Sequence, residues 1–391
     1  MVTIAGNGMG GYTFEGVRVD TEAFDVIVCD RNFAEEGERI LKLGYQEAKA
    51  YLLEHHADQN ILYVVTGSPL FYSAAPLIAR ALPEGAVRFV DNTSSLSYLL
   101  SRLHIAQNQV GVFSLHGRSR IDLSVMLVQE YTFILCDAQT PARLAEAMRY
   151  LPEDAVEITI GYKLGYEDEV IRQVTLDQIE EHFDLTQPYV LLLRRTFTPR
   201  SVISEDTDLL TERGMITKRY KRHFALNSLD LAPNQIFWDV GAGSGSCAID
   251  AYKRYRVKTV LFEKQPQRCE YIRQNLQEHR VIDTVLHEGE AEKLFESEPT
   301  TPDRICVGGG GSAVIARLPY LYERLADGGI MLILAITLSN LSEMVQILDG
   351  AGIAYEVLSF SLTTYKGSLK LVEPERQLFQ IRIDKGVKTH T

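Results

Sequence analysis

The stretch Ile236–Asp250, IFWDVGAGSGSCAID, limits what this chain can fold into more than any other. An apolar run ends at Asp239 and Val240, glycines alternate at 241, 243 and 245, and helix-forming residues follow. Glycine lets the main chain turn tightly and lets a ligand approach it. The helix behind such a loop begins with free N–H groups. Strand, glycine loop and helix in this order predict a nucleotide-like ligand at the carboxyl end of the first strand of a parallel sheet.

The surrounding sequence agrees, because strand-like and helix-like runs alternate almost throughout, which argues α/β architecture. In the first half the strand-like runs are Val2–Ala5, Val26–Cys29, Ile61–Val65, Val87–Val90, Val110–Phe113, Thr132–Leu135, Glu157–Ile160 and Tyr189–Leu193. Gly37–Glu54 and Thr140–Tyr150 read as helices. After Leu193 the texture turns polar and aperiodic, a linker signal that puts a domain boundary near residues 198–205. Two domains are expected, 1–198 and 199–391. The second restarts with strands at Ile236–Val240, Thr259–Glu263, Thr284–Glu288, Arg304–Val307, Gly329–Ile336, Tyr355–Phe360 and Leu378–Ile383. The last two have only a loop between them and are expected to pair as a hairpin at the sheet edge.

Charge narrows the ligand. The net charge is −12, of which residues 1–198 carry −11 and residues 199–391 carry −1. An acidic chain is a poor nucleic-acid binder, since phosphate contacts dominate that affinity. One stretch departs from this: Arg213, Lys218, Arg219, Lys221 and Arg222 lie within eleven residues. It reads either as a solvated helix start or as an anion-binding patch for a carboxylated or phosphorylated ligand. The five scattered cysteines form no CxxC pair and read as buried reduced thiols, with no metal site. No apolar run reaches membrane-spanning length, and the start has no secretory pattern, so a cytoplasmic protein with no membrane partner is expected.

The glycine loop leaves the cofactor open between two kinds. A dinucleotide fingerprint places its third glycine one residue later than Gly245. Asp239 beside the loop would repel a pyrophosphate but would accept a hydrogen bond from an ammonium group. S-adenosylmethionine (SAM) carries an ammonium and a sulfonium and no phosphate. Glu263 ends the next strand, 22 residues after Gly241, the spacing that puts a carboxylate on ribose hydroxyls in both cofactor types. SAM is the favoured reading; a dinucleotide or a purely structural turn are the alternatives. HEGEAEKL, holding Glu290 and Ala291, follows the third strand, where class I SAM methyltransferases commonly touch adenine. Gly308 and Gly309 end the fourth, which normally faces the methyl acceptor.

GMITKRYKR, DVGAGSGS, VGGGG and ITLSNL, in this order, resemble the decarboxylating methyltransferase domain of cobalamin (vitamin B12) biosynthesis. Thr217, Lys218 and Arg222 match its Thr-Lys pair with a later Arg, Tyr220 stands where the family often has Glu, and Thr337, Asn340 and Leu341 match its late segment. The resemblance implies catalytic roles for Thr217, Lys218 and Arg222, and substrate contacts from Arg213, Lys218, Gly308 and Gly309. The first half carries VTIAGNGMGG, YVVTGSPLFYS, NTSSLSYLL, FSLHGRS and LGYEDEVI. Taken singly these are common turns and N-caps. In order they resemble the tetrapyrrole methylase family, class III SAM methyltransferases, in which SAM lies folded between two subdomains. That implies cofactor contacts from Gly8, Gly67, Ser68, Ser94 and Ser95 and a substrate contact from Arg118; Ser68 stands where the family has Asp.

Both domains on one chain resemble the bifunctional decarboxylating methyltransferases of cobalamin biosynthesis. The fold implied is a two-subdomain tetrapyrrole methylase followed by a Rossmann-like class I domain, with one SAM site in each. The activity implied is methylation of a corrin precursor, precorrin-6B or its cobalt form, at meso carbons 5 and 15, with decarboxylation of the ring C acetate. Family relatives imply a homo-oligomer. Meso carbons are enamine-like nucleophiles, so proximity and alignment supply most of the rate and no strong catalytic dyad is expected. His223 and Tyr220 are candidate proton donors for the decarboxylation. Other readings are a methyltransferase of RNA or protein, a nucleotide-binding regulator and a dinucleotide oxidoreductase.

Overall fold

The computed structural model describes residues 1–116, 123–199, 203–309, 311–367 and 371–386. The chain divides into two compact units. The first comprises Met1–Ser119, Gln129–Ala142 and Val156–Thr196; the second comprises Arg120–Val128, Arg143–Ala155 and Phe197–Thr391. No helix among the described residues is long and apolar enough to cross a membrane.

In the first unit, β1 (Val2–Gly6), β2 (Val26–Cys29), β3 (Ile40–Lys42), β4 (Ile61–Val65) and β5 (Val87–Val90) form one parallel sheet in the order β3-β2-β4-β1-β5. The interior strand β1, between β4 and β5, is buried along its whole length, as a strand covered on both faces must be. Val2 and Ile4 pack with Ala48 and Leu52 of the helix Tyr45–His55 and Ile78 of the helix Ala75–Ala81. On the other face Ala5, Leu62 and Val64 pack with Phe24 and Phe33. The expected helix over Gly37–Glu54 is a strand and a shorter helix: Ile40–Lys42 pairs with Ile27–Cys29, and the helix starts only after Gly44, its N-cap.

The second sheet of this unit joins β6 (Val110–Ser114), β7 (Tyr131–Leu135), β8 (Val156–Tyr162), β9 (Val170–Val174) and β10 (Tyr189–Arg195) in the order β6-β7-β10-β8-β9. Only β6 and β7 run parallel. The helix Ser95–Leu103 lays Leu96, Leu99 and Leu100 on Val110, Phe133, Val190 and Leu192.

In the second unit, β11 (Ile236–Val240), β12 (Lys258–Glu263), β13 (Thr284–Glu288), β14 (Arg304–Val307), β15 (Ile330–Ala335), β16 (Glu356–Phe360) and β19 (Leu378–Asp384) form a seven-stranded sheet. Its order is β13-β12-β11-β14-β15-β19-β16, parallel through β15 and antiparallel on both sides of β19. The core packs Trp238, Phe262 and Phe295 with Ile305, Leu318 and Met331. β16 and β19 pair as the sequence predicts, but β19 sits inside the sheet and β16 takes the edge. Their connection holds a further hairpin, β17 (Thr363–Lys366) with β18 (Leu371–Pro374).

Candidate active sites

In the second unit the chain turns at Gly241 on leaving β11. Gly241 has φ +74°, and a Cβ there would stand 2.8 Å from the Gly309 backbone, so the loops after β11 and β14 can touch only because residue 241 is glycine. A Cβ on Gly243 would meet nothing within 4 Å, so that face of the loop is open. It opens on a cavity of about 720 Å³ lined by Gly241–Ser244, Asp239, Glu263, Gly289, Ala291, Gly308 and Gly309, within the roughly 300–1,000 Å³ of small-molecule sites.

Two carboxylates flank the loop. Glu263 accepts N–H bonds from Gly243 at 2.8 Å and from Lys264 and Gln265 at 2.9 Å each. Asp239 is 3% exposed. Burial pushes its carboxyl up to about 7, the Glu263 charge adds to this, and the Ala248 N–H, 3.2 Å away, opposes it. A cationic ligand group beside Asp239 would restore its ionised form. Ser244 lines the cavity, and its Oγ is buried with no hydrogen-bond partner among the described residues. An orphaned hydroxyl, an open glycine face and a buried carboxylate suited to an ammonium together fit SAM.

The basic stretch divides. Thr217, Lys218 and Lys221 line the cavity. Arg222 does not, which corrects its expected catalytic role: its side chain is fully buried and committed to other groups. It pairs with Asp250 Oδ2 at 2.5 Å and Asp206 Oδ1 at 3.2 Å, and donates to the Thr217 and Ser204 carbonyls. The sequence places Lys218 and Arg222 one helical turn apart, but the helix is Arg219–Ser228 and Lys218 is its extended N-cap, so the two side chains part. Arg222 thus holds the turn that presents Thr217. Arg213 is exposed and outside the lining. So are the two expected proton donors: Tyr220 lies under the Arg219 guanidinium, and His223 Nε2 sits 3.2 Å from Arg254. Glu290 turns to pair with Lys293, and Gly245 packs on Leu261 and Ile272 at the helix start. Three cationic residues that no sequence motif singles out, Lys264, Arg268 and Arg376, also line the cavity.

In the first unit a cavity of about 940 Å³ brings together Gly8, Gly67, Ser68, Ser94 and Ser95. The parallel register of β1 and β4 ends with Gly6 beside Val65. That brings Gly8 and Gly67 into a two-way backbone bridge of 3.2 and 3.1 Å. Asn7 clamps the turn through the Gly11 and Thr13 carbonyls and the Gly67 N–H. Asn92 donates to the carbonyls of Gly6 and Gly16. Ser94 caps the helix Ser95–Leu103. Ser68 Oγ donates to Asp91 Oδ1 at 2.5 Å, so a carboxylate stands behind the position where the family has Asp. Asp137 and Ala138 enter from beyond β7, and Pro188–Val190 from the start of β10 and the residue before it. Arg118 lies outside the described residues.

Residues 208–385 match the model of the precorrin methyltransferase domain, and residues 1–180 match that of the tetrapyrrole (corrin/porphyrin) methylases. The chain is 27% identical to a Sinorhizobium precorrin-6Y C(5,15)-methyltransferase [decarboxylating] over 71% of this chain and 68% of that one. It is 31% identical to the "Probable cobalt-precorrin-6B C(15)-methyltransferase (decarboxylating)" of Pyrobaculum calidifontis, over 36% of this chain and 73% of the other. A crystal structure of precorrin-6y C5,15-methyltransferase from Geobacter metallireducens aligns over 48% of this chain and 100% of its own, with 28% identity and a TM-score of 0.46.

Proposed function

The chain belongs to the decarboxylating precorrin methyltransferases, enzymes that use SAM, and on that premise we propose that it methylates a corrin precursor twice, each transfer in its own unit. The first unit serves meso carbon 5. The second serves meso carbon 15 and removes the ring C acetate carboxyl. The observation that carries this is the pair of cavities, one at a glycine turn after the first strand of each unit. Residues 1–198 and 199–391 are the domains assigned to the two reactions, and the cytoplasm is where we place them.

SAM supplies an electrophilic methyl on a sulfonium when bound. In the second unit Asp239 would hold its ammonium and Glu263 its ribose hydroxyls, while the open face of Gly243 admits the nucleoside. In the first unit the Gly8–Gly67 bridge and the Ser94 turn form the corresponding rim. The chain's work in both is alignment and exclusion of water, because an enamine carbon needs no strong base to attack. In the second cavity Ile216, Val314, Leu334 and Leu378 offer an apolar wall. A carboxylate pressed against it is desolvated and destabilised relative to the neutral CO₂ it releases. The electron pair of the broken bond passes to the conjugated ring, and the carbon then takes a proton.

Mass spectrometry after incubating the chain with precorrin-6B and SAM tests the proposal. Two methyl gains and one loss of CO₂ are expected. In Asp239→Asn a single methyl gain without CO₂ loss assigns the remaining transfer to the first unit. No gain in the wild type would overturn the reading.

A further inference from the structure

The second cavity is bordered by five cationic residues, and their partners sort them. Arg268 pairs with Glu212 at 2.8 Å and Lys221 with Glu375 at 3.0 Å, so these two are spent within the protein. Lys264 follows Glu263 at the cofactor end of the cavity. Two remain for a ligand. Lys218 is held only loosely, 3.7 Å from Asp206, with 45% of its side chain exposed. Arg376 is exposed and has no ion pair or side-chain hydrogen bond among the described residues. Its backbone is nevertheless fixed: Lys221, 8% exposed, reaches from the helix Arg219–Ser228 to donate to the Arg376 carbonyl. A buried lysine therefore ties the loop ahead of β19 to the segment that carries Lys218.

Beyond the carboxylates Asp239 and Glu263 at the glycine loop, Glu292, and Glu375, which Lys221 pairs, much of the wall is apolar, with Met215 and Ile336 half exposed at the rim. An apolar wall with two available cations, from segments 158 residues apart, fits an acceptor with a flat hydrophobic body and carboxylates on its edge. We propose that Arg376 and Lys218 form a carboxylate clamp that selects such an acceptor for the second unit. Arg376 sets the specificity, because a guanidinium can take a carboxylate through two parallel N–H bonds. The carboxyl that is lost must lie outside the clamp, since an ion pair would stabilise the carboxylate against leaving. This inference rests on the reading of the reaction above and adds the residues that recognise the substrate.

The test uses the full chain and Arg376→Gln, Arg376→Lys and Lys218→Met, all at exposed positions. The first readout is CO₂ release from the corrin precursor. For Arg376→Gln, KM rises roughly 10- to 100-fold with kcat and SAM affinity unchanged, the loss expected of one charge-assisted pair. Arg376→Lys regains part of it, and the dependence of KM on salt flattens in Arg376→Gln. The second readout needs no turnover: quenching of the single tryptophan, Trp238 in this unit's core, by the octacarboxylate uroporphyrin, with its octamethyl ester as the uncharged control. Weaker quenching by the acid in Arg376→Gln supports the clamp. An unchanged KM in Arg376→Gln overturns it. A wild type that releases no CO₂ defeats the reaction reading, and the clamp then stands or falls on whether Arg376→Gln weakens the quenching.

Discussion

The chain writes the pattern G-x-G-x-G twice, at Gly6–Gly10 and at Gly241–Gly245, each time after the first strand of a parallel sheet. The two loops use their glycines differently. In the second unit the loop runs straight into the helix Ser246–Tyr255, and Gly243 faces open space between two buried carboxylates. In the first unit no helix comes directly after the loop. A Cβ on Gly6 would stand 2.1 Å from the Gly67 carbonyl oxygen, and one on Gly10 would stand 3.0 Å from the Gly165 carbonyl. In the second loop Gly241 packs on the Gly309 backbone while Gly243 is left open to a ligand; in the first Gly6 and Gly10 pack backbone on backbone while Gly8 lines the cavity. The segment downstream of each loop decides between the two uses, and the glycine letters alone do not.

Four substitutions sharpen or break this contrast. The largest effect falls on what holds the second loop's helix from behind. Arg222→Gln leaves Asp250 buried without its cation, and about 3–5 kcal/mol of the second unit's stability should go. Denaturant unfolding followed by Trp238 fluorescence reads it, and a loss below 1 kcal/mol would mean the pair is not an anchor. Next, Gly6→Ala should cost about 3 kcal/mol through backbone overlap. Gly243→Ala should cost only about 1–2 kcal/mol for its left-handed conformation, with the larger loss in SAM affinity. Calorimetric SAM titration beside melting curves separates the two, and equal patterns would erase the distinction. Third, Asn92→Ala should cost about 1–3 kcal/mol in the first unit, because the Gly6 and Gly16 carbonyls lose their donor.

A further effect is one of pH. Asp239 titrates near 7 in the folded protein against an ordinary 3.8. The folded state therefore holds its proton longer than the unfolded one, and this residue's contribution to stability falls as pH rises from about 4 to about 7, then levels off. SAM affinity at this site runs the other way, weakening about tenfold per unit below pH 7, as a proton competes with the ammonium. Asp239→Asn should flatten both curves in paired melting and binding titrations. A SAM affinity at this site equal at pH 5.5 and 8 would remove Asp239 from the cofactor contacts.

Much of the fold was legible because parallel strands are near-continuous apolar runs. β11, β12, β13 and β14 lie within a residue of their expected bounds, and Asp239 and Glu263 flank the loop as their spacing predicts. The elements that escaped had no local signature. β3 is a three-residue strand whose only support is β2. β17 and β18 pair mainly with each other, and the four β18 residues are exposed, so they carry no apolar run. The direction of Arg222 depended on where one helix begins, a boundary that sequence periodicity leaves loose by a turn. Arg376 reaches the site by tertiary structure alone, and no spacing could have found it.

The place of β19 sets an order of events. It is the last of the seven strands to leave the ribosome, yet two earlier ones wait for it: β15 on one side and β16 on the other. Until Leu378–Asp384 emerges, the apolar Ile330–Ala335 has an unsatisfied edge, and β16 has no partner in the sheet at all. Such an edge is a template for pairing with any passing chain. Between the emergence of β16 and that of β19 the second unit thus exposes two strand edges that only Leu378–Asp384 covers.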